Sequence, residues 1–219
     1  MMQDAVQPLC HTVVLVDDEP STLAAYRAIL NRHAPNLEVL ASIDDGSQAA
    51  ETIIGTAPDI VLLDLHMPRV DGLEVLRRLA PYQLHTKVMI STAFDDRSLV
   101  VTALRLGAAG YLLKTASAQQ LVRALYAAAA DDLPLSPEIV RMLIGGSQSS
   151  RRYGTVLSQR EIDVLHALSD GATNKQIAER LFLAESTVKQ YVSTIANKLG
   201  VRTRTQILIA AAKSGLIAW

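Results

Sequence analysis

Carboxylates follow two short apolar runs, at the point where each run ends. Asp17 and Asp18 come directly after the run 12–16, and Asp64 follows the run 60–63. Unbroken, β-branched runs of this length are typical of strands buried on both faces of a parallel sheet, whose carboxyl ends meet at one edge. Clustered carboxylates need a neutralising charge, and oxygen ligands favour a hard divalent cation. The sequence therefore predicts a Mg²⁺ site around an exposed Asp64 that could accept a phosphoryl group.

Two further polar residues end predicted strands of the same sheet. Thr92 follows the run 87–91, and Lys114 follows the run 110–113. A hydroxyl and an ammonium group can both donate hydrogen bonds to phosphate oxygens, so the set suits an aspartyl-phosphate intermediate. The alternative is that the acidic residues 17–19 only cap the following helix. The presence of a suitable polar residue at the end of each of four predicted strands argues against it.

Composition and length indicate an ordinary globular protein. The 219 residues are 49% apolar and 20% charged, which allows one large domain or two small ones. The single cysteine, Cys10, excludes an intrachain disulfide and indicates a reducing compartment. No run is long enough to span a bilayer, and no basic and apolar leader is present. We therefore predict a cytoplasmic protein without a membrane partner.

Charge is distributed unevenly along the chain. Residues 1–132 contain 10 Lys and Arg against 16 Asp and Glu, whereas residues 133–219 contain 11 against 6. An acidic half joined to a basic half indicates two domains, of which the second faces a polyanion. The excess in the basic half is small enough that a solvated surface would also explain it.

Strand-like and helix-like segments alternate over the first 130 residues, which predicts an α/β fold with a doubly wound parallel sheet. The predicted strands cover 12–16, 37–43, 60–63, 87–91 and 110–113, and the predicted helices 20–33, 46–56, 72–80, 97–106 and 117–130. We assign residues 1–132 to this domain. Residues 133–156 are predicted to be a linker with a short helix, and residues 157–219 a second, all-α domain.

One segment of the basic half has a buried stripe and a polar face. The stripe consists of apolar residues at helical spacing, Val188, Val192, Ile195 and Leu199. The opposite face consists of polar residues, Lys189, Gln190, Ser193 and Asn197. The short link 182–184 joins this helix to the one before it, as in helix-turn-helix units. A recognition helix needs such a polar face to contact bases, although many solvated helices also have one.

The first domain resembles the receiver domains of two-component response regulators. The motifs that carry the resemblance are Leu15-Val-Asp-Asp-Glu-Pro20, Leu63-Asp-Leu-His-Met-Pro68, Val70-Asp-Gly72, Ile90-Ser-Thr-Ala93 and Gly110-Tyr-Leu-Leu-Lys114. The resemblance implies a five-stranded CheY-like fold with Asp64 as phosphoacceptor and Lys114 as phosphate-binding residue. It also implies that Thr92 and Tyr111 form a switch pair, although Tyr111 could be an ordinary core residue. The implied Mg²⁺ ligands are Asp17, Asp18, Asp64 and the backbone carbonyl of His66.

The second domain resembles LuxR-type helix-turn-helix domains through Asn174-Lys-Gln-Ile-Ala178, Thr187-Val-Lys189 and Lys198-Leu-Gly-Val-Arg202. We expect Lys189 and Gln190 to contact bases, with Ser193 and Asn197 on the same face. The residues expected to contact phosphates are Thr187, Lys198, Arg202 and Arg204. The final helix, about 203–214, corresponds to one that pairs two such domains in this family, but ordinary core packing is equally open.

The sequence departs from the two families at three positions, one of which is Tyr191, where histidine is frequent. Ala184 stands where serine commonly precedes the recognition helix, so Ser186 could cap that helix instead and start it later. Thr115 follows Lys114 where receivers often have proline, and the sequence leaves the isomer of this peptide bond open.

The resemblance implies a non-enzymatic transcriptional regulator of the NarL/LuxR type. A sensor histidine kinase would phosphorylate Asp64, and the resulting homodimer would bind double-stranded promoter DNA. RNA polymerase is a further candidate partner. Two alternatives are a regulator that binds DNA independently of phosphorylation and a phosphohydrolase with Asp64 as nucleophile.

Overall fold

The predicted strands form one parallel, five-stranded sheet. The computed structural model of the protein describes residues 10–82, 84–93, 97–130, 132 and 157–217. The strand order is β2-β1-β3-β4-β5, and every adjacent pair is parallel. The strands are β1 (His11–Val16), β2 (Leu37–Ile43), β3 (Ile60–Asp64), β4 (Lys87–Thr92) and β5 (Gly110–Leu113). The central strand, β3, is buried along its whole length, as its unbroken apolar run predicts.

Helices cover both faces of this sheet. They are α1 (Pro20–His33), α2 (Gly46–Thr56), α3 (Gly72–Leu79), α4 (Arg97–Arg105) and α5 (Ala118–Ala129). Alternate residues of the strands point to opposite faces, so Leu15 and Leu62 pack under α1 and α5, whereas Val14 and Leu63 pack on the other face. The predicted doubly wound α/β fold is confirmed.

The C-terminal part of the described chain is helical throughout, as predicted. It consists of α6 (Gln159–Ser169), α7 (Asn174–Leu181), α8 (Glu185–Leu199) and α9 (Arg204–Lys213). The predicted apolar stripe on α8 is buried, and this face packs against α6, α7 and α9. Helix α8 begins at Glu185 after Ala184, which provides no side-chain cap, so the later start at Ser186 was wrong.

The predicted linker and its short helix, residues 133–156, lie outside the described residues. None of the helices described has the length and apolarity that a bilayer crossing requires. Within the described ranges every peptide bond is trans, including the one between Lys114 and Thr115.

The two domains are packed against each other. The core beneath α2, α3 and α4 continues into the core of the helical domain, and α9 contacts α4. The Thr205 hydroxyl donates to the Ala109 carbonyl oxygen at 3.4 Å. A Cβ atom at Gly107 would lie 3.1 Å from the Gln206 side-chain nitrogen. The helical domain therefore sits at the end of the sheet where β4 and β5 begin, opposite the edge at which Asp64 lies.

Candidate functional site

The three predicted acidic residues come together at the carboxyl ends of β1 and β3. Carboxylate oxygens of Asp17, Asp18 and Asp64 all lie within 4.8 Å of one another. The side chain of Asp64 was expected to be exposed, but Asp64 is only 2% exposed and Asp17 only 1%. Burial follows from position, because each residue continues a strand that is covered on both faces. Three buried or half-buried carboxylates at this spacing repel one another unless cations neutralise them.

Lys114 supplies one such cation. Its Nζ atom lies 2.9 Å from Asp64 Oδ2 and 2.8 Å from Asp17 Oδ2. The backbone holds the lysine at this edge, because Lys114 N donates to the Thr92 carbonyl oxygen at 2.8 Å. Strand pairing between β4 and β5 thus places a residue from the end of the domain beside the two earlier aspartates.

The electrostatics of the cluster follow from burial and from this lysine. Burial raises the pKa of Asp17, and the close ion pair with Lys114 only partly offsets that increase. Burial alone would lower the pKa of Lys114, but its close contacts with the Asp17 and Asp64 carboxylates outweigh burial and raise that pKa. Lys114 therefore stays protonated throughout the physiological pH range.

The residues of this cluster fit a divalent cation. With the acids ionised, three carboxylates and one ammonium carry a formal charge of −2, which one divalent cation would balance. Among the described residues Asp17 Oδ2 is buried and accepts no hydrogen bond, and its contact with Lys114 Nζ at 2.8 Å is an ion pair. A buried carboxylate oxygen without a hydrogen-bond donor is a suitable ligand for a hard cation such as Mg²⁺.

Backbone groups orient the carboxylates. Asp64 Oδ1 accepts a hydrogen bond from His66 N at 3.1 Å, and Asp17 Oδ1 accepts one from Glu19 N at 3.1 Å. The loop after β3 turns closely over the site at Gly72, where a Cβ atom would collide with the Asp64 carbonyl oxygen. The remaining oxygens, Asp64 Oδ2 and Asp17 Oδ2, point toward Lys114.

The predicted switch residues lie on β4 and β5. Thr92 is buried and follows Ser91, which is the register partner of Asp64. Tyr111 is half-buried and packs against the core that extends into the helical domain. The structure thus places Thr92 on β4, next to β3, and Tyr111 on β5, one strand further away.

One contact near this site was missed by sequence reasoning. The buried hydroxyl of Tyr26, on α1, hydrogen-bonds the Ser91 Oγ atom on β4 at 2.7 Å. Burial raises the pKa of Tyr26, with smaller effects from Ser91 and from the charged cluster. No sequence motif connects these two residues, which are 65 positions apart.

The polar face predicted for the recognition helix is present on α8. Lys189, Gln190, Ser193 and Asn197 are exposed, and Thr187 is half-buried near the start of the helix. Lys189 Nζ lies 3.1 Å from Glu185 Oε1, one turn earlier in the helix. This ion pair is on the surface and therefore weak, so Lys189 can readily exchange Glu185 for another anion.

Two of the predicted phosphate contacts are engaged inside the domain. Arg204 is only 3% exposed and donates to the Ala172 carbonyl oxygen, so its guanidinium is directed into the domain rather than toward the surface on which DNA was expected. Lys198 Nζ donates to Glu161 Oε2 at 2.7 Å and therefore joins α8 to α6. Arg202, in contrast, is exposed just after α8.

A cavity of about 400 Å³ separates part of the α8 polar face from the sheet domain. Lys189, Ser193, Asn197 and Arg202 line it from the helical domain, and His85 lines it from the sheet domain. Lys189, Ser193, Asn197 and Arg202 thus face the neighbouring domain in this arrangement, whereas Gln190 does not line this cavity.

A parallel sheet with an aspartate–lysine cluster at its carboxyl edge, followed by a helix-turn-helix unit, defines a two-domain regulator. Residues 13–126 match the response regulator receiver domain, and residues 155–211 match the bacterial regulatory proteins of the luxR family. The chain therefore belongs to the response regulators that join a receiver domain to a LuxR-type helix-turn-helix domain. This confirms the family that the motifs indicated.

Full-length relatives share this organisation. The chain is 33% identical to the transcriptional regulatory protein DegU of Brevibacillus brevis over 223 residues, covering 94% of each chain. It is 34% identical over 202 residues to the nitrate/nitrite response regulator protein NarL of Escherichia coli, covering 90% of this chain and 93% of that protein. Among solved structures, the response regulator ChrA of a heme-sensing two-component system is 35% identical, with 96% of this chain and 100% of that chain covered and a TM-score of 0.51.

Proposed function

We propose that this response regulator accepts a phosphoryl group on Asp64 from a sensor histidine kinase and then binds promoter DNA as a homodimer. In this proposal residues 1–132 receive the signal, residues 133–156 connect the domains, and residues 157–219 bind DNA. The observation that carries the proposal is the position of Lys114 Nζ, 2.9 Å from Asp64 Oδ2 beside two further carboxylates. A lysine in this place provides a hydrogen-bond donor for the oxygens of a phosphoryl group on Asp64.

The chemistry is a phosphoryl transfer. An oxygen of the Asp64 carboxylate attacks phosphorus, the bond from phosphorus to the donor nitrogen breaks, and the donor imidazole leaves with that electron pair. Lys114 exchanges its contact with Asp64 Oδ2 for a contact with the transferred group. Asp17 and Asp18 would hold Mg²⁺ together with Asp64 and the His66 carbonyl, and this ion supplies charge neutralisation for the phosphoryl oxygens. A phosphohydrolase would need an insertion that binds its substrate, whereas this phosphoryl transfer needs none. The scheme therefore favours a switch over a phosphohydrolase.

The phosphorylated aspartate is proposed to act through Thr92 and Tyr111. A phosphoryl oxygen attracts the Thr92 hydroxyl, and the space vacated on β4 allows the Tyr111 ring to turn inward. Tyr111 packs against the core shared with the helical domain, so its movement would alter the support of that domain. This route connects the acidic edge of the sheet with the opposite end, where the helical domain packs.

DNA recognition is proposed to use α8 in the major groove. Lys189 and Gln190 would contact bases, with Ser193 and Asn197 on the same exposed face, and Thr187 and Arg202 would contact phosphates. Arg204 is buried and Lys198 is paired with Glu161, so each of them would contact a phosphate only after leaving its present partner. Helix α9 is proposed to pair two copies, giving two half-sites about 10 bp apart, and RNA polymerase is the proposed partner at the promoter.

The test is labelling by acetyl phosphate in the presence of Mg²⁺. Asp64→Asn should abolish covalent labelling while the circular dichroism spectrum stays that of the wild type. The matched control is Asp44→Asn, because Asp44 is exposed just after β2 at the same edge of the sheet. Undiminished labelling of Asp64→Asn would refute the assignment. Equal affinity for promoter DNA with and without acetyl phosphate would instead favour a regulator that binds DNA independently of phosphorylation.

A further inference from the structure

Tyr26 and Ser91 form a hydrogen-bonded pair of hydroxyl groups inside the sheet domain. The Tyr26 hydroxyl lies 2.7 Å from Ser91 Oγ. Both side chains are buried, since Tyr26 is 8% exposed and Ser91 only 1%. Tyr26 belongs to α1 and Ser91 to β4, so this pair ties a helix to the strand that neighbours β3.

Ser91 is a direct neighbour of the candidate phosphoacceptor. It is the register partner of Asp64 in the pairing of β3 with β4. The two side chains point to the same face of the sheet, because Leu62 and Met89, two positions earlier on each strand, both pack in the core beneath α1 and α5. Adjacent strands are about 4.8 Å apart, so the Ser91 hydroxyl is within a side chain's length of the Asp64 carboxylate.

The phenol group of Tyr26 also lies near the charged cluster. Burial is the main reason that the pKa of Tyr26 is raised, and the charges of Asp17, Lys114 and Asp64 act on it as well. Among the described residues, however, neither the Tyr26 nor the Ser91 hydroxyl is hydrogen-bonded to a carboxylate of the cluster. The two hydroxyls bond to each other and leave the carboxylate oxygens to other groups.

We propose that Tyr26 is a positioning residue for the phosphorylation of Asp64, and that it acts by holding the Ser91 hydroxyl away from the Asp64 carboxylate. A serine hydroxyl turns about a single bond and can donate to any acceptor within its reach. While Tyr26 holds it, the Asp64 oxygens stay available to the phosphoryl donor. Without the Tyr26 hydroxyl, Ser91 is a buried polar group beside a carboxylate, and it turns to donate to that carboxylate.

A hydrogen bond from Ser91 to Asp64 would slow phosphoryl transfer. With acetyl phosphate as donor, an Asp64 oxygen attacks phosphorus, and acetate leaves with the electron pair of the bond that breaks. A hydroxyl that donates to the attacking oxygen withdraws electron density and must be displaced before attack. Hydrogen bonds to a charged acceptor change an equilibrium constant by about tenfold or more, so the rate should fall by about tenfold. This inference rests on the proposed function, because it takes Asp64 as the phosphoacceptor.

The experiment measures the initial rate at which radiolabelled acetyl phosphate labels the full-length protein, at a temperature where circular dichroism shows every variant to be folded. Tyr26→Phe keeps the ring and should be labelled about tenfold more slowly than the wild type. When Ser91→Ala is already present, adding Tyr26→Phe should not change the rate, because the competing hydroxyl is gone. Tyr126→Phe is the matched control, since it removes a hydroxyl from α5 beside the same core and should leave the rate unchanged.

A second measurement reports on the Asp64 carboxylate in the metal-free protein, without any reaction. His66 N donates to Asp64 Oδ1 at 3.1 Å, so a new hydrogen bond to that carboxylate should shift the His66 amide resonance in a ¹H–¹⁵N spectrum. The shift should appear on introducing Tyr26→Phe into the wild type and should not appear on introducing it into Ser91→Ala.

The dependence on Ser91 separates this inference from a general loss of stability. A pair that only satisfied two polar groups in the core would change the free energy of unfolding without changing the labelling rate of the folded protein. Wild-type labelling of Tyr26→Phe, or equal slowing with and without the Ser91 hydroxyl, overturns this inference alone, as does an unmoved His66 resonance. Absence of labelling in the wild type itself overturns the proposed function together with it.

Discussion

Lys198 Nζ lies 2.7 Å from Glu161 Oε2, and this ion pair links the recognition helix α8 to α6. Glu161 is 4% exposed and also accepts a hydrogen bond from Ser158 N at 2.5 Å. The hydrogen bond from Lys198 is the main reason that the pKa of Glu161 is lowered. A residue expected to hold DNA phosphate thus supports the orientation of the helix that carries the base contacts.

Glu161→Gln should destabilise the helical domain by about 1–3 kcal/mol at pH 7, because it leaves Lys198 and the start of α6 without a charged acceptor. The folded-state pKa of Glu161 lies below its unfolded value, which is about 4.3. Its contribution is therefore complete above that unfolded pKa and is lost as the pH falls through the lower, folded pKa. Urea denaturation followed by circular dichroism should show a larger difference between wild type and variant at pH 7 than at an acidic pH below the unfolded pKa.

The control for that measurement is Asp163→Asn. Asp163 forms only a surface pair with Arg160 at 3.8 Å, so this substitution should change the free energy of unfolding by less than about 0.5 kcal/mol. A difference between Glu161→Gln and wild type that is the same at both pH values would contradict the assignment to the ionised carboxylate.

Tyr26→Phe should destabilise the receiver domain by about 1–2 kcal/mol, because it leaves the buried Ser91 hydroxyl without its partner. Ser91→Ala should have a similar effect on Tyr26. The double variant should cost less than the sum of the two, since neither hydroxyl is then left unpaired. Chemical denaturation of the four proteins measures this coupling, and strict additivity would show that the contact contributes nothing.

The sheet and the acidic cluster could be predicted because their signals are local. Strand-like runs of four or five residues are followed by Asp17, Asp64, Thr92 and Lys114. The rule that parallel strands share a carboxyl edge was sufficient to bring these residues together. Helix starts followed in the same way, and Asp71 caps α3 by accepting from Glu74 N at 2.7 Å.

Contacts between distant segments could not be predicted. The motif around Arg202 suggested that Arg204 reaches phosphate, yet the fold turns its guanidinium inward to the Ala172 carbonyl oxygen. The bonds of Tyr26 with Ser91 and of Asp132 with Asn174 likewise depend on tertiary packing. Polar residue types at these positions are compatible with exposure or with burial, and only the three-dimensional arrangement decides between them.

Asp17→Asn should weaken Mg²⁺ binding by at least about tenfold, because it removes one of three anionic ligands and the charge on the oxygen that receives no hydrogen bond. Lys114 retains its hydrogen bond to Asp64, so the domain should remain folded. Isothermal titration calorimetry with MgCl₂ measures the affinity. Asp44→Asn, outside the cluster, should bind Mg²⁺ like the wild type, and equal affinities for all three proteins would exclude Asp17 as a ligand.

Ala184→Ser should stabilise the helical domain by about 0.5–1 kcal/mol by supplying the cap that α8 lacks. The backbone of Ala184 already has the extended conformation of a capping residue, with φ −75° and ψ 147°, so a serine hydroxyl could accept from the amides of the first turn without rearrangement. Ala184→Val enlarges the side chain without supplying a hydroxyl acceptor and should give no gain. The midpoint of urea unfolding compares the three proteins, and equal stabilisation by Ser and Val would attribute the effect to packing rather than to capping.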